Sequence, residues 1–144
     1  MRNKNLKKFI IKLFIIILFH TNLYAEKDFF NEGKELFESD KYDEAKFKFE
    51  KDIVFNPKNE NSYLYLAKVY KKKKDNLQEE KNLNTVVLLN PKNEEAVYHL
   101  ALLNIKRSNY KKTESLIKRF KVICKKLCSF EEELNTKLQN SLKQ

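Results

Sequence analysis

The chain has little of several residue types on which many functional sites depend. Its 144 residues include no tryptophan, one glycine, two prolines, two cysteines and two histidines. One glycine excludes a Gly-rich phosphate-binding loop. It also favours helices joined by short turns, because few positions could take a positive φ at low cost. Two cysteines are too few for a disulfide scaffold.

Enzyme chemistry finds almost no support in the sequence. His20 lies in the N-terminal segment, so His99 is the one histidine of residues 26–144. No His/Cys cluster has the spacing of metal ligands. Acidic pairs such as Glu79-Glu80 are typical of solvated helix surface. We therefore expect no catalytic residue, no metal and no cofactor.

The net charge of +10 is concentrated at the N-terminus. Residues 1–25 contain five of the 30 basic residues and no acid, so the remainder carries 25 basic and 20 acidic residues, or +5. That excess is modest, and no recognisable nucleic-acid-binding motif accompanies it. We expect no nucleic acid among the partners.

The first 25 residues have the order of a secretory signal. A basic start precedes the apolar run Phe9–Phe19, and the segment ends at Ala25. This predicts cleavage after Ala25 and export to the periplasm, the cell envelope or the medium. The alternatives are an uncleaved membrane anchor over residues 9–25 and a short core helix. The anchor is less favoured because the run is shorter than the roughly 20 residues that a span needs, and Lys12 interrupts it.

An internal repeat decides the fold. The sequence NPKNE occurs at residues 56–60 and again at 90–94, which is 34 residues later. This period indicates stacked helix-turn-helix units, and it divides the chain into residues 26–59, 60–93 and 94–127, followed by 128–144. Each unit has two apolar-periodic stretches with a polar break between them.

Individual residue types support the same division. Gly33, Ala67 and Ala101 recur at the 34-residue spacing, and small side chains there allow two helices to approach closely. Pro57 and Pro91 end helices because proline lacks the N–H and clashes with the preceding turn. Asp40 and Asp75 are predicted N-caps.

These units resemble tetratricopeptide repeats. The matching residues are Phe29, Gly33, Leu36, Tyr42, Ala45, Phe49 and Pro57 in the first unit, Tyr63, Leu66, Ala67, Tyr70, Leu83, Val86 and Pro91 in the second, and Val97, Leu100, Ala101, Tyr110, Ile117 and Phe120 in the third. The resemblance implies an all-α, right-handed helical-repeat solenoid of three units. Residues 128–144 are predicted to form a capping helix that begins with a capping box at Ser129 and carries a narrow apolar stripe.

Some positions depart from the repeat pattern. Glu32 and Asp52 stand where the first unit should be apolar, and Glu79 replaces a small residue in the second. We interpret the two acids of the first unit as tolerable because a terminal unit leaves one side uncovered.

The resemblance further implies a concave face that receives a peptide or helix of another protein. The groove residues carried over from the family pattern are Phe30, Asn31, Lys34, Phe37, Leu64, Tyr65, Lys68, Lys71, Tyr98, His99, Leu102 and Ile105. Their aromatic rings are predicted to lie off the core, and the lysines favour an acidic partner. Recognition of a free C-terminus by a carboxylate clamp is not expected, since Phe30, Tyr65, Glu95 and His99 occupy several of the clamp's places.

Charge differs between the units, with −3 in residues 26–59, +3 in 60–93 and +6 in 94–127. Unlike ends could attract, which would give weak self-association or an acidic partner. Basic units also suit a peripheral contact with anionic lipid. The sequence thus predicts a non-enzymatic adaptor or assembly factor of the cell envelope. The alternative is a membrane-surface structural protein held by an uncleaved N-terminal helix and its basic units.

Cys124 and Cys128 lie where the third unit meets the capping helix. A disulfide is permitted outside the cytoplasm, and it would be awkward on a continuous helix but easier across a bend. Two free buried thiols are slightly favoured over the disulfide, and a metal or redox site is the weakest of the three because no third ligand lies nearby.

Overall fold

The computed structural model describes residues 28–143, and every regular element in that part of the chain is an α-helix. The predicted signal or anchor segment lies outside the described residues. No described helix is long and apolar enough to cross a membrane. The all-α prediction is confirmed, and the helices are α1 Phe29–Glu38, α2 Tyr42–Phe55, α3 Glu60–Lys72, α4 Asn76–Leu89, α5 Glu94–Lys106, α6 Tyr110–Ile123 and α7 Phe130–Leu142.

The helices pack in consecutive pairs, α1 with α2, α3 with α4 and α5 with α6, and each pair packs on the next through α2–α3 and α4–α5. α7 packs against α5 and α6 and closes the end of the stack. Its Leu134 and Leu138 are buried in the larger of two hydrophobic clusters. Phe130 and Leu142, at the ends of the same stripe, stay 37% and 47% exposed. This is the arrangement of a cap with one apolar side.

The turn within each pair uses a left-handed residue. Asp40, Lys74 and Ser108 have φ of 59°, 60° and 58°, and they recur at the 34-residue spacing. The amide that follows each of them bonds back to a carbonyl of the preceding helix, as in Lys41 N–H to Leu36 O at 2.9 Å. This is the Schellman arrangement, in which glycine is the usual left-handed residue. Residues 28–143 therefore take positive φ three times without glycine, contrary to what the glycine content suggested.

The predicted caps have mixed outcomes. Asp75 caps α4, since its Oδ1 accepts from the Gln78 backbone N–H at 3.1 Å. Asp40 does not cap α2, because its backbone is occupied in the left-handed turn and its carboxylate accepts from the Tyr42 hydroxyl. Ser129 precedes α7 but makes no capping hydrogen bond with its side chain. The predictions for Asp40 and Ser129 are wrong for these local reasons.

An uncovered side does not explain Asp52 of the first unit, whereas Glu32 keeps 44% of its side chain exposed. Asp52 is 3% exposed, and its carboxylate accepts hydrogen bonds from Asn56, Asn59 and Ser62 across the turn between α2 and α3. Glu32 pairs with Lys48 between α1 and α2. Asp52 is thus a buried, fully partnered group that joins the first pair of helices to the second.

Candidate functional site

The first helices of the three pairs, α1, α3 and α5, meet through their side chains and form one surface, here called the inner face. It holds most of the groove residues predicted from the sequence. Contacts from α1 to α3 are aromatic, and contacts from α3 to α5 are ionic. The inner face therefore has an apolar part near the N-terminal end and a charged part in the middle.

Tyr65 on α3 is the centre of the aromatic part. Its ring meets Phe30 and Phe37 of α1 edge-on, at centroid distances of 5.5 and 5.6 Å, and lies 5.3 Å from Phe49 of α2. Edge-to-face pairs at such distances are favourable beyond the area they bury. Phe30, Phe37 and Tyr65 are half-buried and pack against the smaller hydrophobic cluster. The prediction that these rings lie off the core is wrong, because each ring packs on the cluster with one side and reaches solvent with the other.

Glu95 on α5 is the centre of the ionic part. Its Oε1 lies 2.7 Å from Lys68 Nζ and 3.7 Å from His99 Nε2. His99 and Lys68 together lower the pKa of the Glu95 carboxyl to about 2, against the effect of burial. Lys71 Nζ approaches His99 Nδ1 at 3.3 Å, and Lys68 Nζ also lies 4.4 Å from the centre of the Tyr65 ring. The ionic and aromatic parts are therefore continuous through Lys68.

Two predicted groove residues are inaccessible. Leu64 is 4% exposed and Ile105 is 9% exposed, and both belong to the larger core cluster. The family pattern placed them on the inner face, but their side chains are buried in the core between the helices. Their assignment to the groove is wrong.

The capping helix covers the inner face of the third unit. The Tyr98 ring lies 6.0 Å from Phe120 and 5.1 Å from Phe130, and its hydroxyl donates to Glu133 on α7 at 3.2 Å. Leu102 is half-buried against the larger cluster. Tyr98 therefore fastens α7, and it is not the free aromatic side chain that the sequence suggested.

The remaining predicted residues lie at the N-terminal end of the inner face. Asn31 is exposed, and its backbone N–H bonds to Asp28 Oδ1 at 3.0 Å, which caps α1. Lys34 is half-buried and lies 3.8 Å from Glu38, one turn along α1. Both border the aromatic part without entering the core.

Glu95 is the site residue that sequence reasoning missed. Its signal was its position four residues before His99, where the two side chains share one helical face. The nearer of its two partners, Lys68, is 27 residues away, and only the packing of α5 beside α3 brings it close. Lys68 was expected to be free for a partner, but it pairs with Glu95 of the neighbouring first helix.

Cys124 and Cys128 form a disulfide across the bend between α6 and α7, with their Cα atoms 5.2 Å apart. The same bend is held by Glu94, whose carboxylate accepts from the backbone N–H groups of Lys125, Lys126 and Leu127. These bonds lower the Glu94 pKa. Among residues 28–143, no group of three or more His, Cys, Asp or Glu side chains could hold a metal ion.

Comparison with known proteins supports the fold alone. No family model matches the chain, and no curated protein matches it. Solved tetratricopeptide-repeat (TPR) structures do match. The TPR2B domain of yeast Sti1, in its complex with pHsp70, has a TM-score of 0.73 at 16% identity and covers 79% of this chain and 95% of that one.

Two further structures match comparably well. The first TPR of Spaghetti (RPAP3), bound to the HSP90 peptide SRMEEVD, has a TM-score of 0.71 at 21% identity and covers 81% of this chain and 91% of that one. The Yersinia enterocolitica type III secretion translocator chaperone SycD has a TM-score of 0.71 at 13% identity, and the match covers 89% of this chain and 90% of that one.

Proposed function

We propose that this protein, an all-α helical repeat with a tetratricopeptide-like fold, binds a segment of another protein on its inner face. The observation that carries the proposal is the continuous surface from Phe30 and Phe37 through Tyr65 and Lys68 to Lys71. Half-exposed aromatic rings offer apolar contact area at a low entropic cost, and adjacent cations select acidic groups.

The expected partner is a peptide or helix that carries apolar side chains next to an acidic one. Its apolar part would lie over the aromatic rings of α1 and α3. Its acidic part would lie over Lys71, which is exposed, and would compete with Glu95 for Lys68. Solved neighbours of the same fold are recorded with bound partners, which include an HSP90 peptide and pHsp70. That likeness supports a protein partner of this chain without identifying it.

Placement in the cell envelope, as an adaptor or assembly factor, is part of the proposal. Its supports are the signal-like order of residues 1–25 and the Cys124–Cys128 disulfide, since disulfides persist mainly in oxidising compartments. N-terminal sequencing of the native protein tests it. A mature chain that begins at Glu26 supports export with cleavage. A chain that keeps residues 1–25 and resists salt extraction from membranes supports the anchored alternative.

Photocrosslinking tests the binding surface directly. Benzoylphenylalanine replaces Lys71 on the inner face in one variant and Lys81 on the exposed side of α4 in a control. We expect Lys71, but not Lys81, to crosslink one defined envelope protein. The double variant Lys68→Ala/Lys71→Ala should lose that partner, whereas Lys81→Ala/Lys118→Ala, with the same charge change, should keep it. Equal crosslinking at both positions, or equal loss in both doubles, would contradict the proposed surface.

A further inference from the structure

The second helix of each pair ends with an exposed aliphatic residue at the same repeat position. Val54, Leu88 and Val122 are spaced by 34 residues and are 76%, 80% and 84% exposed. An exposed lysine follows each of them after four residues, at Lys58, Lys92 and Lys126. Neither residue type is needed there for the core, so the repeated pair requires another explanation.

Hydrogen bonds show that these positions adjoin one another. Glu60 Oε1, at the start of α3, accepts from the side chains of Asn90 and Asn93 in the next turn at 2.7 and 3.2 Å. Glu94, at the start of α5, accepts in the same way from the backbone of the turn after it. Residues 54–59, 88–93 and 122–127 therefore form one continuous border of the stack, here called the turn edge.

The turn edge is purely cationic. It contains Lys58, Lys92, Lys125 and Lys126 and no acidic residue. In the part of the chain that the structure describes, no carboxylate forms an ion pair with these four lysines. The acids that adjoin the edge are Asp52, Glu60 and Glu94, and hydrogen bonds to the turns hold all three carboxylates. With these three acids counted against the four lysines, the edge still carries +1.

We propose that the turn edge docks the protein on an anionic lipid bilayer. Exposed apolar side chains beside lysines, here Val54 with its neighbour Phe55 (68% exposed), Leu88 and Val122, can insert at the lipid headgroup boundary while the ammonium groups meet lipid phosphates. A protein partner would instead be anchored by large side chains in desolvated pockets. Here the aliphatic side chains are more than three-quarters exposed and lie in the last turn of each second helix. The turn edge shares no residue with the inner face, so both could be occupied at once, and it does not involve residues 1–25.

Vesicle binding tests this proposal. The chain that begins at Glu26 and the full chain are sedimented with vesicles of phosphatidylcholine, with and without phosphatidylglycerol. We expect binding only to the anionic vesicles, and salt should weaken it. Lys58→Gln/Lys92→Gln/Lys126→Gln should weaken binding on the order of 100-fold, since each lysine near such a surface contributes about a factor of five. The control triple Lys72→Gln/Lys74→Gln/Lys111→Gln, at the opposite ends of the helix pairs, has the same net charge and should weaken binding far less.

Two exposed leucines of α4, one on the turn edge and one away from it, test whether the aliphatic side chains contribute to vesicle binding. Leu88→Ser and Leu77→Ser both remove an exposed leucine from α4, with 80% and 69% of the residue exposed. We expect Leu88→Ser to weaken vesicle binding about fivefold and Leu77→Ser to leave it unchanged. Circular dichroism and thermal unfolding confirm that the variants are folded.

Three results would overturn the proposal. The first is an equal loss in both lysine triples, which would mean that only net charge matters. The second is no binding of the Glu26 chain to anionic vesicles. The third is a concentration-dependent dimer in solution that Leu88→Ser abolishes. That result would mean that the turn edge binds a second copy of this chain. None of these results bears on the inner face, so the proposed function would be judged separately.

Discussion

Gly33 of α1 lies against the ring of Phe49 of α2. A Cβ atom added at Gly33 would come 2.7 Å from Phe49 Cε1 and 2.8 Å from its Cδ1. Real Cβ atoms essentially never approach a non-bonded carbon that closely, so the helices of the first pair touch where one has no side chain. Phe49 is fully buried and cannot move into solvent.

Gly33→Ala is therefore expected to destabilise the protein by about 1–3 kcal/mol, because the methyl group displaces a buried ring, and the better helix propensity of alanine only partly offsets this. Urea unfolding monitored by circular dichroism measures the change. Gly33→Ala/Phe49→Leu provides the control, since a smaller residue 49 makes room for the methyl group. Gly33→Ala should lower the free energy of unfolding by less in the Phe49→Leu background than in the native protein. An equal cost in both backgrounds would contradict the contact.

Lys74 offers the opposite experiment. Its φ of 60° strains a residue that carries a Cβ, and glycine relieves that strain. Lys74→Gly should stabilise the protein by about 0.5–1 kcal/mol, after allowance for the greater freedom of glycine in the unfolded chain. Lys72→Gly, two residues earlier in the last turn of α3, should destabilise by about 1 kcal/mol. Destabilisation by both variants would show that residue 74 is not left-handed in solution.

The helix pairs could be predicted from sequence because the 34-residue period constrains all three units together. Pro57 and Pro91 mark turns correctly, since α2 and α4 end at Phe55 and Leu89. The left-handed residues were not predictable from composition. Aspartate, lysine and serine occupy one turn position in the three units, and each is held there by the backbone bonds of the turn.

The inner face was predicted only in part, because a repeat pattern gives the position of a side chain and not what neighbours it. Tyr65 and Tyr98 occupy adjacent places of the pattern in successive units. Tyr65 packs on α1 and α2, whereas Tyr98 is covered by α7, which lies beyond the repeats. The Lys68–Glu95 pair likewise depends on how α5 packs beside α3.

Asp52 is expected to be a strong stability determinant. Asp52→Ala removes the acceptor for Asn56, Asn59 and Ser62, of which Ser62 is fully buried. Because a buried donor without an acceptor keeps its full desolvation cost, the loss should be about 2–3 kcal/mol. Glu44→Ala, at an exposed acid of the same helix, should change stability by less than about 0.5 kcal/mol. Similar small effects of the two variants, measured by urea unfolding, would mean that the Asp52 network contributes nothing in solution.

Glu79 should lower stability at neutral pH. It is 5% exposed, and burial raises its pKa above the ordinary 4.5 in spite of Lys71 and Lys106. Since the folded-state pKa exceeds the unfolded one, folding becomes less favourable as the pH rises from 4.5 through the folded value. Glu79→Gln should therefore stabilise the protein at pH 7 and have little effect below pH 4.5, where the native carboxyl is protonated in both states. An advantage of the glutamine that does not depend on pH would contradict this explanation.

Glu95, in contrast to Glu79, should raise stability at neutral pH. Its pKa of about 2 in the folded protein lies below the ordinary 4.5, so its contribution to stability is fully present above pH 4.5. That contribution is lost as the pH falls from 4.5 towards 2. Glu95→Gln should consequently destabilise at neutral pH and converge with the native protein in acid, as urea unfolding across this range would measure. Glu114→Gln, at an exposed acid of α6, is the control and should show no such convergence. A constant difference between Glu95→Gln and the native protein across that range would show that His99 and Lys68 do not hold the carboxylate in solution.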